Sequence, residues 1–332
     1  ESPRGTAACQ GRAPPRQKPI ISQSAPAPAV KPAAKTIDTL LQEHRSFSPS
    51  EAFRRQANAS DPEIYARADA DWQGWWASWA EQLSWERKWD RVLDWQPPHA
   101  QWFVGGKLNA SVQCLVRHVA AGHGARVAFH WEGEPGDART LTYAQMLKGV
   151  ARTANGLKSL GIGKGDRVTL YMPMVPELAM AVLDCTRIGA IFSVVFAGFS
   201  AASLRDRIQD QEAKLVICAD ACWRRGKLLD LKVVVDEAVA ACPSIEHVLL
   251  WRRGAGAVSA SSGTPRDVQW SAIVEPQSPV CPPVAMDAED PLFILYTSGT
   301  TGKPKGIVHS HGGYLTVAYA TSKLVFDLKP ET

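Results

Sequence analysis

No stretch of this 332-residue sequence reaches the roughly 18 consecutive apolar residues of a membrane-spanning helix, because charge or proline interrupts each apolar run. A membrane-spanning role is therefore not expected. Excess charge is also scarce. The formal net charge is +4 at pH 7, and residues 1–36 carry Arg4, Arg12, Arg16, Lys18, Lys31 and Lys35 against Glu1 alone, so the remainder is close to neutral. Without a basic excess in the folded part, the phosphate-backbone attraction behind nucleic-acid binding has little to draw on, and nucleic acid is not an expected partner. Cysteine pairing is missing too. The seven cysteines, at 9, 114, 185, 218, 222, 242 and 281, are an odd number, and their spacing matches no zinc site. Reduced thiols, no metal site and a cytoplasmic setting are the resulting expectations. Finally, no methionine opens the chain, which runs from Glu1 to DLKPET with no terminating pattern and reads as a fragment.

What is present is an ordinary soluble composition, 45% hydrophobic and 21% charged, long enough for about two domains. Residues 1–36 hold seven prolines and eight alanines with almost no large apolar side chains. Such a segment buries too little to offset its ordering entropy and reads as a disordered extension. Its basic, acid-poor character faintly suggests an organelle transit segment, the only pointer to a mitochondrial matrix location. From 37 to 125 the chain changes character, with eight tryptophans between Trp72 and Trp102. Trp72, Trp75, Trp76 and Trp79 fall at helical spacing, and Trp85 with Trp89 repeats the step. The spacing fits an aromatic ligand platform or, better, a helical layer clamped onto a neighbouring domain.

Residues 126–332 alternate strand and helix patterns. FHWEG, RVTLYM, IFSVVF, LVICAD, IEHVLLW and LFILYT are short runs rich in β-branched and aromatic residues. Thr142 and Gln145 make a capping-box signature for a helix closed by Gly161, and Pro176 opens another that runs to Gly189. The expected fold class is α/β, mostly parallel sheets flanked by helices, with a helical Trp-rich N-terminal segment. Residues 254–285, rich in Gly, Ser, Ala and Pro, read as a surface connection.

The stretch YTSGTTGKPKG, residues 296–306, follows the apolar run LFIL and so leaves the carboxyl end of a strand, where open α/β sheets place ligands. Gly299, Gly302 and Gly306 allow backbone N–H groups to converge on an anion; Thr297, Ser298, Thr300 and Thr301 add hydroxyls, and Lys303 and Lys305 add charge. A polyphosphate needs such a donor set. The stretch is not a Walker loop, since Pro304 and Lys305 stand where that motif requires Gly-Lys.

TSGTTGKPKG followed by HSHGGYL resembles the signature of the acyl-adenylate-forming superfamily, and within it the AMP-forming acyl-CoA synthetases acting on short carboxylic acids. WFVGGKLN with CLVRH, GDRVTLYMPMVPE and RIGAIFSVVFAGFS are similar to further segments of that family in the same order, so the resemblance runs from about residue 40 to 332. It implies two half-reactions. A carboxylate attacks the α-phosphorus of Mg2+-ATP to give acyl-AMP and pyrophosphate, and the thiol of coenzyme A then displaces AMP. It implies Thr297 and Lys303 in the catalytic role, with Ser298, Gly299, Thr300, Thr301, Gly302, Lys305 and Gly306 around the ATP phosphates. WRRGK is similar to the family's coenzyme A phosphate grip, which implies Arg224, Arg225, Gly226 and Lys227 as its counterparts, lysine replacing the usual arginine at 227.

Two further departures are Ala197, where a glycine is usual, and Val116, where an aspartate commonly precedes Arg117-His118. His309 and His311 follow the phosphate loop and stand as supporting candidates. Family members are much longer, ending in a small domain whose lysine completes adenylation, so the chain alone is expected to be inactive and poorly soluble. Acetate is the preferred substrate and propionate the alternative. A non-catalytic nucleotide or coenzyme A binding module and a phosphotransferase are the rival classes.

Overall fold

The computed structural model describes residues 45–253, 264–297 and 304–330. The chain divides into two compact units, residues 1–54 and 55–332, with the short helix α1 (Glu51–Gln56) at the division; the second unit carries the fold described below.

It opens with α2 (Ile64–Ala70) and α3 (Trp72–Ala80), the latter capped by Asp71, whose carboxylate accepts the Gly74 N–H at 2.9 Å. The predicted tryptophan stripe is helical only as far as Ala80. Residues 81–90 are irregular, so Trp85 and Trp89 do not continue a helix. They meet edge to face, centroids 4.9 Å apart, and both pack on Phe103. Spacing alone misleads here because Trp85 turns back to donate its indole N–H to the Ala80 carbonyl at 2.8 Å, across the end of α3. A hairpin follows, β1 (Arg91–Gln96) against β2 (His99–Val104), and then the short β3 (Lys107–Leu108). Trp79 contacts Tyr319, and the buried members of this layer merge with the main core, so the tryptophans serve packing.

β4 (Val127–Glu132) and β5 (Ala138–Thr142) form a second hairpin leading into α4 (Tyr143–Ser159). The capping box at Thr142 and Gln145 is present in both directions, at 2.8 and 3.2 Å. Then come β6 (Arg167–Tyr171), α5 (Pro176–Ile188), β7 (Ile191–Val194), α6 (Ala201–Gln211) and β8 (Leu215–Ala219). Pro176 occupies the first turn of α5, and Gly189 closes it at φ 78°, a conformation glycine adopts without strain. The hairpin β9 (Ala221–Arg224) and β10 (Lys227–Asp230), α7 (Lys232–Val239), β11 (His247–Trp251), β12 (Asp267–Gln269), α8 (Trp270–Val274), β13 (Met286–Asp287), β14 (Pro291–Thr297), β15 (Lys305–Ser310) and α9 (His311–Leu324) complete the unit.

Seven strands form the central sheet in the order β12-β11-β8-β6-β7-β14-β15, all neighbours parallel except the antiparallel pair β14-β15. Val168, Leu170, Leu215, Ile217 and Leu249 join the core under α4, α5 and α8. Tyr171, Val216, Cys218, Val248 and Leu250 join the core under α6 and α7. Burial on both faces explains why β8, buried at every position, reads as one apolar run. The helix leaving β6 lies on one face and those following β7 and β8 lie on the other. That change of side opens a ligand crevice at the carboxyl ends of such sheets. No helix among the described residues is long and apolar enough to cross a membrane.

Candidate active site

Because β6, β7, β8 and β14 are parallel, the loops that leave them emerge at one edge of the sheet. The turn after β8 is the better defined. Asp220 closes its base: its backbone carbonyl accepts the Leu231 N–H at 2.9 Å, and its Oδ1 accepts the Arg253 N–H at 2.8 Å. Beyond it Arg224 pairs with Lys227 across β9 and β10, leaving Arg225 and Gly226 as a two-residue turn at φ 53° and 72°. Two positive φ values define the turn that matches strand twist, and glycine at the second is the residue it favours. Facing residues of an antiparallel pair project from the same side, so Arg224 and Lys227 present two cations to one face while Arg225 caps the tip. The sequence names these four residues correctly as neighbours but gives no sign of the hairpin.

The Arg224 guanidinium lies 5.2 Å from the Phe196 ring centroid, in cation–π contact. A Cβ on Gly198 would come within 2.3 Å of Arg224 Nη1, so the missing side chain is what admits the guanidinium. A cavity of about 310 Å3 opens beside it, lined by Trp131, Met174, Phe196, Ala197, Trp223 and Arg224. Ala197 sits in this wall together with Arg224. Arg253, Glu132 and Glu134 also line it, so the cavity joins aromatic walls to groups of both charges.

At the other side of the crevice, β14 and β15 pair in register as far as Thr297 opposite Lys305 and Tyr296 opposite Gly306. The predicted phosphate loop is therefore the connection of a hairpin. Of its predicted contacts, Ser298, Gly299, Thr300, Thr301, Gly302 and Lys303 lie outside the described residues. Thr297, Lys305 and Gly306 lie within them, the first two exposed and mutually opposed where the connection begins and ends. A Cβ at Gly306 would approach Ile294 Cγ2 to 3.0 Å and the Tyr296 ring to 3.2 Å, so the glycine lets β15 close against β14. Tyr296 donates its hydroxyl to Asp210 of α6 at 2.7 Å, and the Arg207 guanidinium lies over the rings of both Phe199 and Tyr296. Burial and the Asp210 carboxylate push the Tyr296 phenol up, so it stays a neutral donor. Sequence reasoning missed this anchor, which joins residues 86 apart with no local pattern.

His309 stacks on Phe293 at 4.6 Å, and His311 is fully buried, its pKa drawn down to about 4 chiefly by burial. Both are packing groups. Val116 costs Arg117 no partner, since the guanidinium donates to the Gln82 carbonyl at 3.2 Å and to Gln113 Oε1 at 3.3 Å. The six described cysteines are free thiols.

Over residues 116–331 the sequence matches the family described as AMP-binding enzyme, which is more than half of the chain. The chain belongs to the AMP-binding enzyme family. Residues 62–114 of this AMP-binding enzyme match the family described as acetyl-coenzyme A synthetase N-terminus. The acetyl-coenzyme A synthetase of Streptomyces avermitilis is 52% identical over 299 residues, covering 90% of this chain and 45% of that protein. That of Rubrobacter xylanophilus is 52% identical over 288 residues, 86% of this chain and 44% of its own length. That of Mycolicibacterium smegmatis is 53% identical over 289 residues, 86% and 30%. Among solved structures, the acetoacetyl-CoA synthetase from Streptomyces lividans superposes with TM-score 0.76 at 25% identity, covering 85% of this chain and 46% of that one. The chain thus spans less than half the length of the curated relatives it matches.

Proposed function

We propose that this chain carries the phosphate-binding and coenzyme A-binding edge of an AMP-forming short-chain acyl-CoA synthetase. The reaction joins a carboxylate, acetate in preference to propionate, to the α-phosphorus of ATP with release of pyrophosphate, and then passes the acyl group to the thiol of coenzyme A. Thr297 and the 298–306 connection would hold the β- and γ-phosphates, so that charge developing on departing pyrophosphate meets preset donors. Lys303 and Lys305 would add the counter-charge. Magnesium, when bound, would neutralise the same oxygens. Arg224, Arg225, Gly226 and Lys227 would take a phosphate of coenzyme A, and the aromatic wall beside Arg224 would take its apolar portion.

One observation supports the reading: the hairpin carrying Arg224 and Lys227 follows β8 and the connection ending at Lys305 follows β14, and these two strands run parallel within one sheet, so both segments leave its same edge. A module for a single mononucleotide needs one such turn, whereas a two-anion reaction needs both. Calorimetric titration of the protein with Mg2+-ATP and, separately, with coenzyme A tests it. The expected outcome is saturable binding of each, with Arg224→Ala weakening coenzyme A about tenfold and leaving ATP unchanged, since a charge-assisted phosphate contact is worth about 1.5–3 kcal/mol. Failure of either ligand to bind, or equal losses for both, would overturn the assignment.

A further inference from the structure

We propose that the β4–β5 hairpin is a brace that positions the β9–β10 turn, with Glu134 as the point of contact; the inference rests on the coenzyme A reading of that turn. Glu134 lies in the β4–β5 connection, and its Oε1 accepts the N–H of Gly226, 92 residues away in sequence. The turn tip is otherwise exposed, residues 224–227 all facing solvent. A carboxylate set on the tip holds Gly226, one of the two left-handed residues whose backbone decides where Arg224 and Lys227 point.

The hairpin is built to hold still. Its Trp131 ring lies between two guanidinium groups, Arg139 at 5.3 Å and Arg253 at 5.1 Å. Each arginine is itself clamped by two hydrogen bonds to a carboxylate, Arg139 to Glu177 at 2.8 and 2.7 Å and Arg253 to Asp137 at 2.7 and 3.0 Å. Paired donors fix a guanidinium in orientation as well as position. Trp131 also donates its indole N–H to the Met174 carbonyl at 2.8 Å, tying the hairpin to the loop after β6. At Gly133 a Cβ would fall 2.1 Å from Asp137 Oδ1 and 2.7 Å from Arg253 Nη2, so the clamp closes only over a glycine. Because Arg253 donates its backbone N–H to Asp220, the brace grips the β9–β10 hairpin at its base and, through Glu134, at its tip.

A carboxylate beside a cationic turn could instead compete with the ligand anion. Glu134 lines the same cavity as Arg224, but among the described residues it makes no ion pair with Arg224 or Lys227, and its carboxylate is engaged by the Gly226 N–H.

The test is amide hydrogen exchange at Gly226 together with calorimetric titration of the full chain with coenzyme A and with Mg2+-ATP, for Glu134→Ala and Glu134→Gln. The expected result for E134A is about tenfold faster exchange at Gly226 and about fivefold weaker coenzyme A binding, the range of one hydrogen bond. ATP affinity and melting temperature should stay unchanged. E134Q keeps the acceptor oxygen and should recover most of both losses. Unchanged Gly226 exchange in E134A overturns the brace whatever the ligand does, and tighter coenzyme A binding in both variants overturns it in favour of competition. If Arg224→Ala leaves coenzyme A binding intact, the fault lies in the reading of the turn, and the exchange result still judges the brace.

Discussion

The β9–β10 hairpin follows β8, a strand buried at every position, whereas the β14–β15 turn joins the outer pair of the same sheet, whose last strand is exposed over Lys305–Val308. The first is held by ionic clamps and a short two-residue connection. The second is held around its tyrosine and phenylalanine: the Tyr296 hydroxyl donates to Asp210, the Arg207 guanidinium lies over the Tyr296 ring, and Phe293 stacks on Phe192 and His309. The outer hairpin is anchored partly by charge as well, through the Asp210 carboxylate and the Arg207 guanidinium, but without the paired arginine–carboxylate clamps found beside the inner one. For the proposed two-anion reaction this difference matters. The inner site can be rigid, while the outer hairpin keeps Leu295, Ile307 and Val308 exposed and available for contact.

If ionic anchoring makes the inner turn rigid, the most damaging change lies just behind it. Lys232, at the start of α7, is almost wholly buried between Asp236 and Asp267, with 2.8 Å to the latter. Burial draws its ammonium down, but hydrogen bonds to the two carboxylates outweigh that and hold it above the ordinary lysine value. Lys232→Ala would strand Asp267, which also accepts from the Thr264 N–H and hydroxyl at 3.0 Å each. Breaking one partner from a buried pair costs about 3–5 kcal/mol. Urea unfolding should register that loss, and a cost below about 1 kcal/mol would show that the inner region is not held by charge.

The outer region should answer to pH. His311 begins α9 directly after β15, buried and without a ring hydrogen bond among the described residues. Burial lowers its pKa to about 4 against a smaller upward pull from Asp290, and Lys164 adds a still smaller lowering. Its folded pKa lies below the unfolded value near 6.5, so the folded state prefers the neutral ring. This contribution is complete above about pH 6.5 and is lost as pH falls from there towards 4, amounting to about 3 kcal/mol over the window. His311→Gln should flatten that part of the stability profile. An unchanged slope would assign the acid sensitivity elsewhere.

The sequence disclosed the inner region more fully than the outer one, for physical reasons. Strands buried on both faces must be apolar throughout, so β6 and β8 appear as runs at their observed places. Caps are local chemistry, so Thr142, Gln145, Pro176 and Gly189 announce α4 and α5. The exposed strand β15 has no such demand on KGIVHS and stays hidden. The Trp131 clamp and the Glu134 contact unite residues up to 116 apart, and no window of sequence reports them. The cationic set Arg224 to Lys227 was legible as charge, but its spatial arrangement depends on a turn that WRRGK only permits.

The smallest expected change in stability tests the inner site most directly. Gly198 has an ordinary backbone, so Gly198→Ala meets no conformational strain, only the 2.3 Å approach to Arg224 Nη1 and 2.5 Å to Phe196 Cε1. Arg224 is exposed and its far end can swing away, so the unfolding free energy should shift by no more than about 1 kcal/mol, as for an accommodated overpacking. The guanidinium would then leave both the Phe196 face and the side shared with Lys227. Coenzyme A affinity should fall severalfold while ATP binding and melting temperature hold, and adding G198A to Arg224→Ala should cost nothing further. Additive losses would mean that Gly198 acts on the ligand by a route other than Arg224, because contacts sharing one partner do not add.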